Sequence, residues 1–165
     1  MDFDSLFRRL YPQLFRYLHR LTGSADAADD LAQESFSRLL GRSMPDDDAR
    51  RWLFTVATNL ARDAARQTSN RRRLLSLVAA ERPDRVVPDD TVVRRESVEA
   101  VRAALDGIPA RDRAMLLMRE EGLRYQEIAQ AVGVAPGSVG TLIARAAKKF
   151  AAAYLEQGRG DESSG

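Results

Sequence analysis

The sequence predicts an all-α protein made of two small helical lobes joined by a flexible linker. Apolar residues recur at helical spacing on both sides of the chain's centre, and no segment alternates as a strand would. The stretch between them, residues 76–93, has no sustained period and holds Pro83, Pro88 and aspartate-rich turns. We therefore divide the chain into a first lobe (1–75), a linker (76–93), a second lobe (94–155) and a disordered polar tail (156–165).

The first lobe begins with a predicted helix that ends near Gly23. Its apolar residues recur at helical spacing: Phe3, Leu6, Phe7, Leu10, Leu14, Tyr17, Leu18 and Leu21. Pro12 interrupts this pattern, so we expect a kink or a break there, because proline lacks the amide hydrogen of the helical ladder. Ser24 or Asp26 is placed to cap the next helix.

Two further helices are predicted in the first lobe, over residues 25–40 and 49–75. The loop between them, 41–48, is rich in turn-forming and acidic residues. The last helix carries an apolar stripe of Trp52, Leu53, Val56, Ala57 and Leu60. Because Trp52 continues this stripe, a core position for its ring is favoured over base stacking.

The same helix carries a polar face that is typical of binding to a single nucleic-acid strand. Its members are Arg50, Arg51, Thr55, Asn59, Arg62 and Arg66. Arginine binds backbone phosphates, and asparagine can pair with the edges of unstacked bases.

The predicted second helix is acidic and amide-rich in a chain whose basic residues are nearly all arginine. Asp29, Asp30, Gln33 and Glu34 share one of its faces. Taken by itself, such a face is most simply interpreted as exposed to solvent, since acidic residues stabilise a helix N-terminus. Paired carboxylates also suggest acid–base or metal chemistry, but the sequence supplies no cysteine and no histidine placed as a ligand. We predict no enzyme activity, catalytic residue, metal site or cofactor.

Four helical patterns fill the second lobe, at roughly 94–106, 110–120, 124–132 and 136–153. From Tyr125 onward the last two have the spacing of a helix-turn-helix, whose buried positions are Ile128, Ala129, Val132, Val134, Val139 and Ile143. Ala129 is small where the second helix crosses, and Gly133 lies in the turn, where a positive φ favours glycine. An ordinary helical hairpin does not require both residues, so this segment favours DNA binding.

The second helix of this motif has few side chains that read bases. Small or apolar residues occupy positions where Arg, Lys, Asn or Gln would be expected: Gly140, Leu142, Ala144 and Ala147. Arg145, Lys148 and Lys149 would lie toward phosphates, which fix position without reading sequence. We expect recognition through backbone contacts and DNA shape, with weak base discrimination.

Net charge is only +2, but the calculated isoelectric point is about 9.3, which is compatible with a nucleic-acid partner. The N-terminus has no signal-peptide pattern, and no apolar run is long enough to span a membrane. These features and the absence of cysteine predict a cytoplasmic protein without a membrane partner.

Three segments together resemble the extracytoplasmic-function (group IV) sigma factors of the sigma-70 family. They are DAADDLAQESFSRLL, RRWLFTVATNLARD and YQEIAQAVGVAPGSV, which occur in the family's order. The resemblance covers about residues 3–153 and implies a sigma2-like first domain and a sigma4-like second domain. It implies a transcription initiation factor that binds bacterial core RNA polymerase and directs it to promoters.

The resemblance also implies a role for each face. Asp29, Asp30, Gln33 and Glu34 would bind the beta-prime clamp helices of the polymerase, and the second domain would contact the beta flap. The minus-ten element would be melted and held by Arg50, Arg51, Trp52, Thr55, Asn59, Arg62 and Arg66. The minus-thirty-five element would be contacted by Gly137, Ser138, Thr141, Arg145 and Lys148.

The implied partners are core RNA polymerase and promoter DNA, with an anti-sigma factor as a further candidate. We take a monomer as the default state of the free protein. Leu142, taken as exposed, would face either DNA or such a protein partner. The alternative is a helix-turn-helix regulator, or an inactive sigma-like protein, that does not initiate transcription. In that alternative the acidic face around Asp30 would be dispensable.

Overall fold

The computed structural model describes residues 2–76 and 92–162, and within these ranges the chain forms seven α-helices and one short 3₁₀ turn, with no strand. The helices are α1 (Phe3–Thr22), α2 (Ala25–Leu39), α3 (Asp46–Ser76), α4 (Val92–Asp106), α5 (Ala110–Glu120), α6 (Tyr125–Val132) and α7 (Val139–Glu162), and the 3₁₀ turn spans Pro136–Ser138. The predicted linker lies outside the described residues except at its two ends.

We predicted a kink or a break at Pro12; helix α1 continues through this residue, so a break is wrong. A proline in a helix leaves the carbonyl four residues earlier without its amide donor. Here that carbonyl belongs to Arg8, and both Pro12 and Arg8 are exposed, so water can satisfy the freed acceptor. Gly23 ends α1 with a φ of 75°, and the Ser24 hydroxyl accepts a hydrogen bond from the Ala27 amide at 3.1 Å, as the predicted cap requires.

Two other boundaries differ from the prediction. Helix α3 begins at Asp46 rather than Ala49, since three aspartates in its first turn stabilise a helix N-terminus, and the preceding loop is correspondingly shorter. Helix α7 continues to Glu162, through residues 156–162 that the sequence predicted to be disordered. Extending an existing helix adds a hydrogen bond per residue at little cost, and the alanine-rich turn before this segment supports the extension.

The core of the first lobe lies between α1, α2 and α3. It contains Leu6, Leu10, Leu14, Leu18, Ala28, Ala32, Phe36, Leu39, Leu53, Phe54 and Ala57. The predicted stripe of α3 is only partly correct: Leu53 and Ala57 are buried, but Trp52, Val56 and Leu60 are half-buried at its edge. Phe54 lies inside instead, 5.2 Å from the Tyr17 ring between centroids.

A buried hydrogen bond joins α1 to α3 in this core. The Thr58 hydroxyl donates to the Phe54 carbonyl at 2.6 Å, so it accepts from the Tyr17 hydroxyl at 2.8 Å. Burial raises the pKa of Tyr17, so the phenol stays protonated and remains a donor. This bond fixes the face of α3 that turns inward, and with it the face that turns outward.

The two lobes pack against each other, with α5 on α1 and α6 on α3. The Glu121 carboxylate accepts hydrogen bonds from Arg16 Nε, at 2.9 and 3.2 Å to its two oxygens, and from Arg16 Nη2 at 2.8 Å. The Glu121 carbonyl accepts one from Gln13 at 2.6 Å. The Glu121 side chain is only 5% exposed, and its hydrogen bond raises the pKa of Arg16.

Two arginines of the second lobe reach the C-terminal end of α1. Arg102 donates to the Arg20 carbonyl, and Arg113 donates to the Leu21 carbonyl at 3.4 Å. These are among the carbonyls that a helix end leaves without intrahelical donors. We call these contacts, together with the Arg16–Glu121 pair, the interlobe clasp.

Candidate nucleic-acid and protein-binding surfaces

The helix-turn-helix predicted from Tyr125 is present as α6, the 3₁₀ turn and α7. The side chains predicted to be internal are Ile128, Ala129, Val132, Val139 and Ile143, which are buried, and Val134, which is half-buried. Gly133 ends α6 with φ 75° and ψ 40°, the left-handed conformation that the turn requires. At the other end of α6, the Glu127 carboxylate accepts from the Arg124 amide at 2.9 Å and caps the helix.

The predicted upstream DNA contacts lie on one side of the motif. Gly137, Ser138, Thr141, Arg145 and Lys148 are all exposed. From Ser138 onward they are spaced by three or four residues, which places them on a single face of the helical segment. The structure therefore brings this set together, with Arg145 and Lys148 as its cationic members.

Two residues beside this face behave differently from their sequence-based description. Leu142 is half-buried and packs against the hydrophobic core, so its description as exposed is wrong. Lys149 pairs with Asp112 at 2.9 Å, and the Asp112 side chain is only 5% exposed. Lys149 thus anchors α7 to α5 rather than lying toward phosphates.

Arg119 and Tyr125 form an exposed pair at the edge of the motif that sequence reasoning missed. Arg119 Nη1 donates to the Tyr125 hydroxyl at 2.7 Å, and its guanidinium carbon lies 5.7 Å from the ring centroid. A Cβ built on Gly140 would lie 3.5 Å from the Tyr125 ring, so this pair is next to the start of α7. Arg119 lies before the helix-turn-helix motif, so the motif's spacing does not point to it. The turn between α5 and α6 brings Arg119 and Tyr125 together.

Most of the predicted minus-ten residues lie along one face of α3. Arg51, Thr55, Asn59, Arg62 and Arg66 are spaced by three or four residues, and Asn59 and Arg66 are exposed. Arg51 pairs with Asp48 in the first turn, and the Thr55 hydroxyl donates to the Arg51 carbonyl at 2.9 Å. Arg62 is half-buried and lines a cavity of about 490 Å³ between the lobes.

Trp52 lies at the rim of the first lobe, half-buried, and not within its core as the apolar stripe favoured. The Arg42 guanidinium lies 5.1 Å from its ring centroid, a cation–π arrangement. Arg42 belongs to the loop between α2 and α3. A cation of this loop and an aromatic ring of α3 are thus in contact at the edge of the first lobe.

Arg50 does not join the other α3 residues. It points toward the second lobe, where its Nε lies 3.8 Å from Glu127 Oε2. That Nε is buried and has no hydrogen-bond partner. In this arrangement Arg50 is an interlobe residue, in contrast to its predicted place on the strand-binding face.

The acidic face of α2 is also organised by contacts that the sequence does not reveal. The Tyr11 hydroxyl donates to the Asp29 carboxylate, and Gln33 donates to the same carboxylate at 2.9 Å. Asp29 is half-buried, whereas Asp30, Gln33 and Glu34 are exposed. Asp29 therefore connects α2 to α1, and the outer surface is presented by the other three.

Within the described residues, no group of histidine and acidic side chains is arranged to hold a metal ion. None of the described helices combines the length and the apolar character that crossing a membrane requires.

Two family models match the chain. The model described as sigma-70 region 2 matches residues 6–73, and the model described as sigma-70, region 4 matches residues 98–150. The ECF RNA polymerase sigma factor EcfG of Rhodopseudomonas palustris is 31% identical over 154 residues, which cover 91% of this chain and 83% of that protein. The ferric citrate uptake sigma factor FecI of Escherichia coli is 30% identical over 163 residues, or 96% and 94% of the two chains.

Among solved structures, the chain resembles the sigma factor RpoE of Bartonella quintana, which was crystallised with the anti-sigma factor NepR. The TM-score is 0.67 at 20% identity, over 92% of this chain and 96% of that one. This likeness supports the fold. Together with the family matches, it confirms the predicted all-α architecture of two helical domains.

The left-handed turn of the helix-turn-helix generates a prediction for stability. Replacing Gly133 by Ala places a Cβ at a φ of 75°, so we expect a loss of about 1 kcal/mol in the free energy of unfolding, without any steric clash. Gly137→Ala is the matched control, because its φ is not positive and a Cβ there also meets open space. Chemical denaturation of both variants checks this, and equal stabilities would contradict it.

Proposed function

The chain belongs to the extracytoplasmic-function group of the sigma-70 family, and we propose that its two lobes divide the work of promoter recognition. As a member of this family it is a transcription initiation factor for RNA polymerase. In the proposal, the first lobe binds core polymerase and opens the minus-ten element. The second lobe positions the complex on the minus-thirty-five element.

The separation of charge on the first lobe is the observation that carries this proposal. Asp30 and Glu34 are exposed on α2, while Asn59 and Arg66 are exposed on α3. An acidic surface repels DNA phosphates, so its partner is a protein with a basic surface. We assign that partner to the beta-prime clamp helices of the polymerase, with Asp30, Gln33 and Glu34 in direct contact and Asp29 positioning the helix through Tyr11.

At the minus-ten element, the α3 face holds the melted strand. Arg51 and Arg66 would bind phosphates, and Asn59 would pair with a base edge. An extruded base would enter near the loop that carries Arg42, beside the Trp52 ring. Binding to that base offsets an unstacking cost of a few kcal/mol, so opening requires no ATP.

At the minus-thirty-five element, the second lobe supplies position more than sequence discrimination. Its exposed face offers two cations, Arg145 and Lys148, and two small hydroxyls, Ser138 and Thr141. Such a face selects a site poorly when alone. Attached to a lobe that recognises a second element, it acts at a raised effective concentration and needs little discrimination of its own.

Three further features complete the proposal. We place the protein in the cytoplasm, with the polymerase, and treat it as a monomer when free. We assign the beta flap to the second lobe as its polymerase contact. An anti-sigma factor is a further candidate partner, since the similar RpoE structure contains one.

The exposed face of the helix-turn-helix has few side chains that can read bases, and this leads to a prediction for upstream DNA binding. Arg145→Ala removes an exposed cation, so we expect weaker binding to every duplex tested and a smaller slope of affinity against salt concentration. Ser138→Ala and Thr141→Ala should change promoter preference little, because each removes only one hydroxyl. Competition binding on a promoter library measures this, and a sharp preference that disappears in Ser138→Ala would contradict it.

The acidic face yields the test of the function itself. Asp30→Arg should abolish binding to core polymerase and all factor-dependent transcripts, because it sets a cation against a basic partner. Glu156→Arg makes the same charge change at an exposed site near the end of α7 and should leave transcription intact. Purified core polymerase and a library of promoter fragments provide the assay.

If the wild-type chain bound DNA yet neither co-eluted with core polymerase nor started transcripts, the proposed function would be wrong. A regulator or an inactive sigma-like protein would then be the better description. If the Asp30→Arg variant still started transcripts, only the assignment of the acidic face to core polymerase would be wrong.

A further inference from the structure

The cavity that Arg62 lines is large enough for a small organic molecule. Its volume is about 490 Å³, and helices α1 to α5 all contribute to its walls. Pockets that bind small molecules have volumes of ~300–1,000 Å³ and are mostly apolar, with a few polar groups that orient the ligand. The walls of this cavity therefore indicate which kind of molecule it can bind.

Most of the wall is apolar because small side chains lie where the helices approach one another. Alanine lines the cavity from three helices, at Ala27 of α2, Ala61 of α3 and Ala114 of α5, and Leu21 and Leu31 extend this surface. A methyl group reaches less far than a larger side chain, so space remains that no protein atom fills. An apolar group placed there would gain dispersion contacts and lose contact with water.

The charged groups of the wall have an excess of positive charge. Arg62, Arg102 and Arg113 line the cavity, and Asp106 is the one acidic residue among the described residues of its lining. Asp106 accepts a hydrogen bond from Arg102 Nε at 3.1 Å, so its charge balances that of one arginine. The remaining positive charge favours an anion in the cavity.

Arg113 is placed to benefit from such an anion. Its side chain is half-buried, and burial lowers the pKa of Arg113 because its charge is partly removed from water. Part of its N–H donors are used by the carbonyls of Leu105, Ile108 and Leu21, and the others can meet a further acceptor. A hydrogen bond between a guanidinium and an anion is stronger than one to a neutral carbonyl.

We propose that this cavity binds a small anionic amphiphile. Its acidic head group pairs with Arg62 and Arg113, and its apolar body lies along the alanine surface. Arg62 also belongs to the α3 face that we assign to the melted strand, so the bound molecule competes with that strand for one cation. The competition rests on the proposed function, whereas the binding of the amphiphile does not.

The first experiment measures binding of decanoate to the full chain, at concentrations below those at which decanoate forms micelles. Two further probes separate the parts of the ligand. Acetate has the anionic head without the apolar body, and decyltrimethylammonium has the same apolar body with a cationic head. Calorimetry gives the affinity, and amide chemical shifts in the NMR spectrum locate the site.

Decanoate should bind saturably, raise the Tm of the protein and shift the amides of lining residues such as Thr58, Ala61 and Ala114. Acetate and decyltrimethylammonium should do none of this, because each lacks one half of the ligand. Shifts confined to exposed apolar residues such as Val98 and Leu155 would overturn the proposal, as would equal binding of the cationic amphiphile.

Two substitutions test the two parts of the site. Ala61→Leu extends a side chain into the cavity, and Arg62→Gln removes one of its cations, so each should weaken decanoate binding on the order of tenfold. The matched controls are Ala152→Leu, at an exposed site on α7, and Arg66→Gln, one turn further along α3 and outside the lining. Both controls should bind decanoate as the wild type does.

Unchanged decanoate affinity in Ala61→Leu and Arg62→Gln would overturn the proposal. A misfolded Ala61→Leu is recognised by its thermal unfolding. Ala65→Leu then takes its place with the same expected result, because Ala65 lines the cavity from an exposed position.

The competition is measured by the fluorescence anisotropy of a labelled single-stranded oligonucleotide. Saturating decanoate should lower the affinity of the wild type for the strand on the order of tenfold and should have less effect on Arg62→Gln. Decanoate that binds in the cavity but leaves strand affinity unchanged would overturn the competition. Transcription with core polymerase is measured in parallel: if the wild type does not initiate, the proposed function is wrong, while calorimetry and NMR still decide the decanoate site.

Discussion

Arg102 and Arg113 donate hydrogen bonds to the last carbonyls of α1, and the relation between the two lobes depends on this contact. The C-terminal end of a helix has carbonyls without intrahelical donors and a partial negative charge. The two guanidiniums supply hydrogen-bond donors and positive charge there. Gly23 is part of the same contact. A Cβ added at this position would lie 3.1 Å from the Arg102 guanidinium, so a larger residue would displace that arginine. Without these contacts, the part of α3 that packs against α6 would lose one support for its position between the lobes.

The partner proposed for each surface of the first lobe follows from the sign of the charge that its helix presents. Helix α2 presents exposed carboxylates, which the proposal assigns to a basic protein surface, whereas α3 presents Asn59 and Arg66, which the proposal assigns to a nucleic-acid strand. Both helices take their orientation from the core, where Tyr17 and Thr58 fix α3 and Tyr11 holds Asp29 on α2. The low net charge of +2 thus conceals two separate surfaces of opposite sign on one small domain.

Local signals were sufficient for the features that depend on neighbours in the sequence. The Ser24 cap, the Gly133 turn and the buried set of the helix-turn-helix follow from propensity and helical spacing. Arg50, Leu142 and Lys149 were misplaced because tertiary packing decides their environment. For Arg50 that partner is Glu127 on the other lobe, and no pattern within α3 reveals it.

In the proposed division of work, the first lobe opens DNA while the second positions the complex. Permanganate footprinting of a polymerase–promoter complex tests it most directly, since unpaired thymines react while nuclease protection upstream reports the second lobe. We predict that replacing Asn59 and Arg66 by alanine removes thymine reactivity near the start site and leaves upstream protection in place. Thymine reactivity that persists in this variant at wild-type strength would contradict the account.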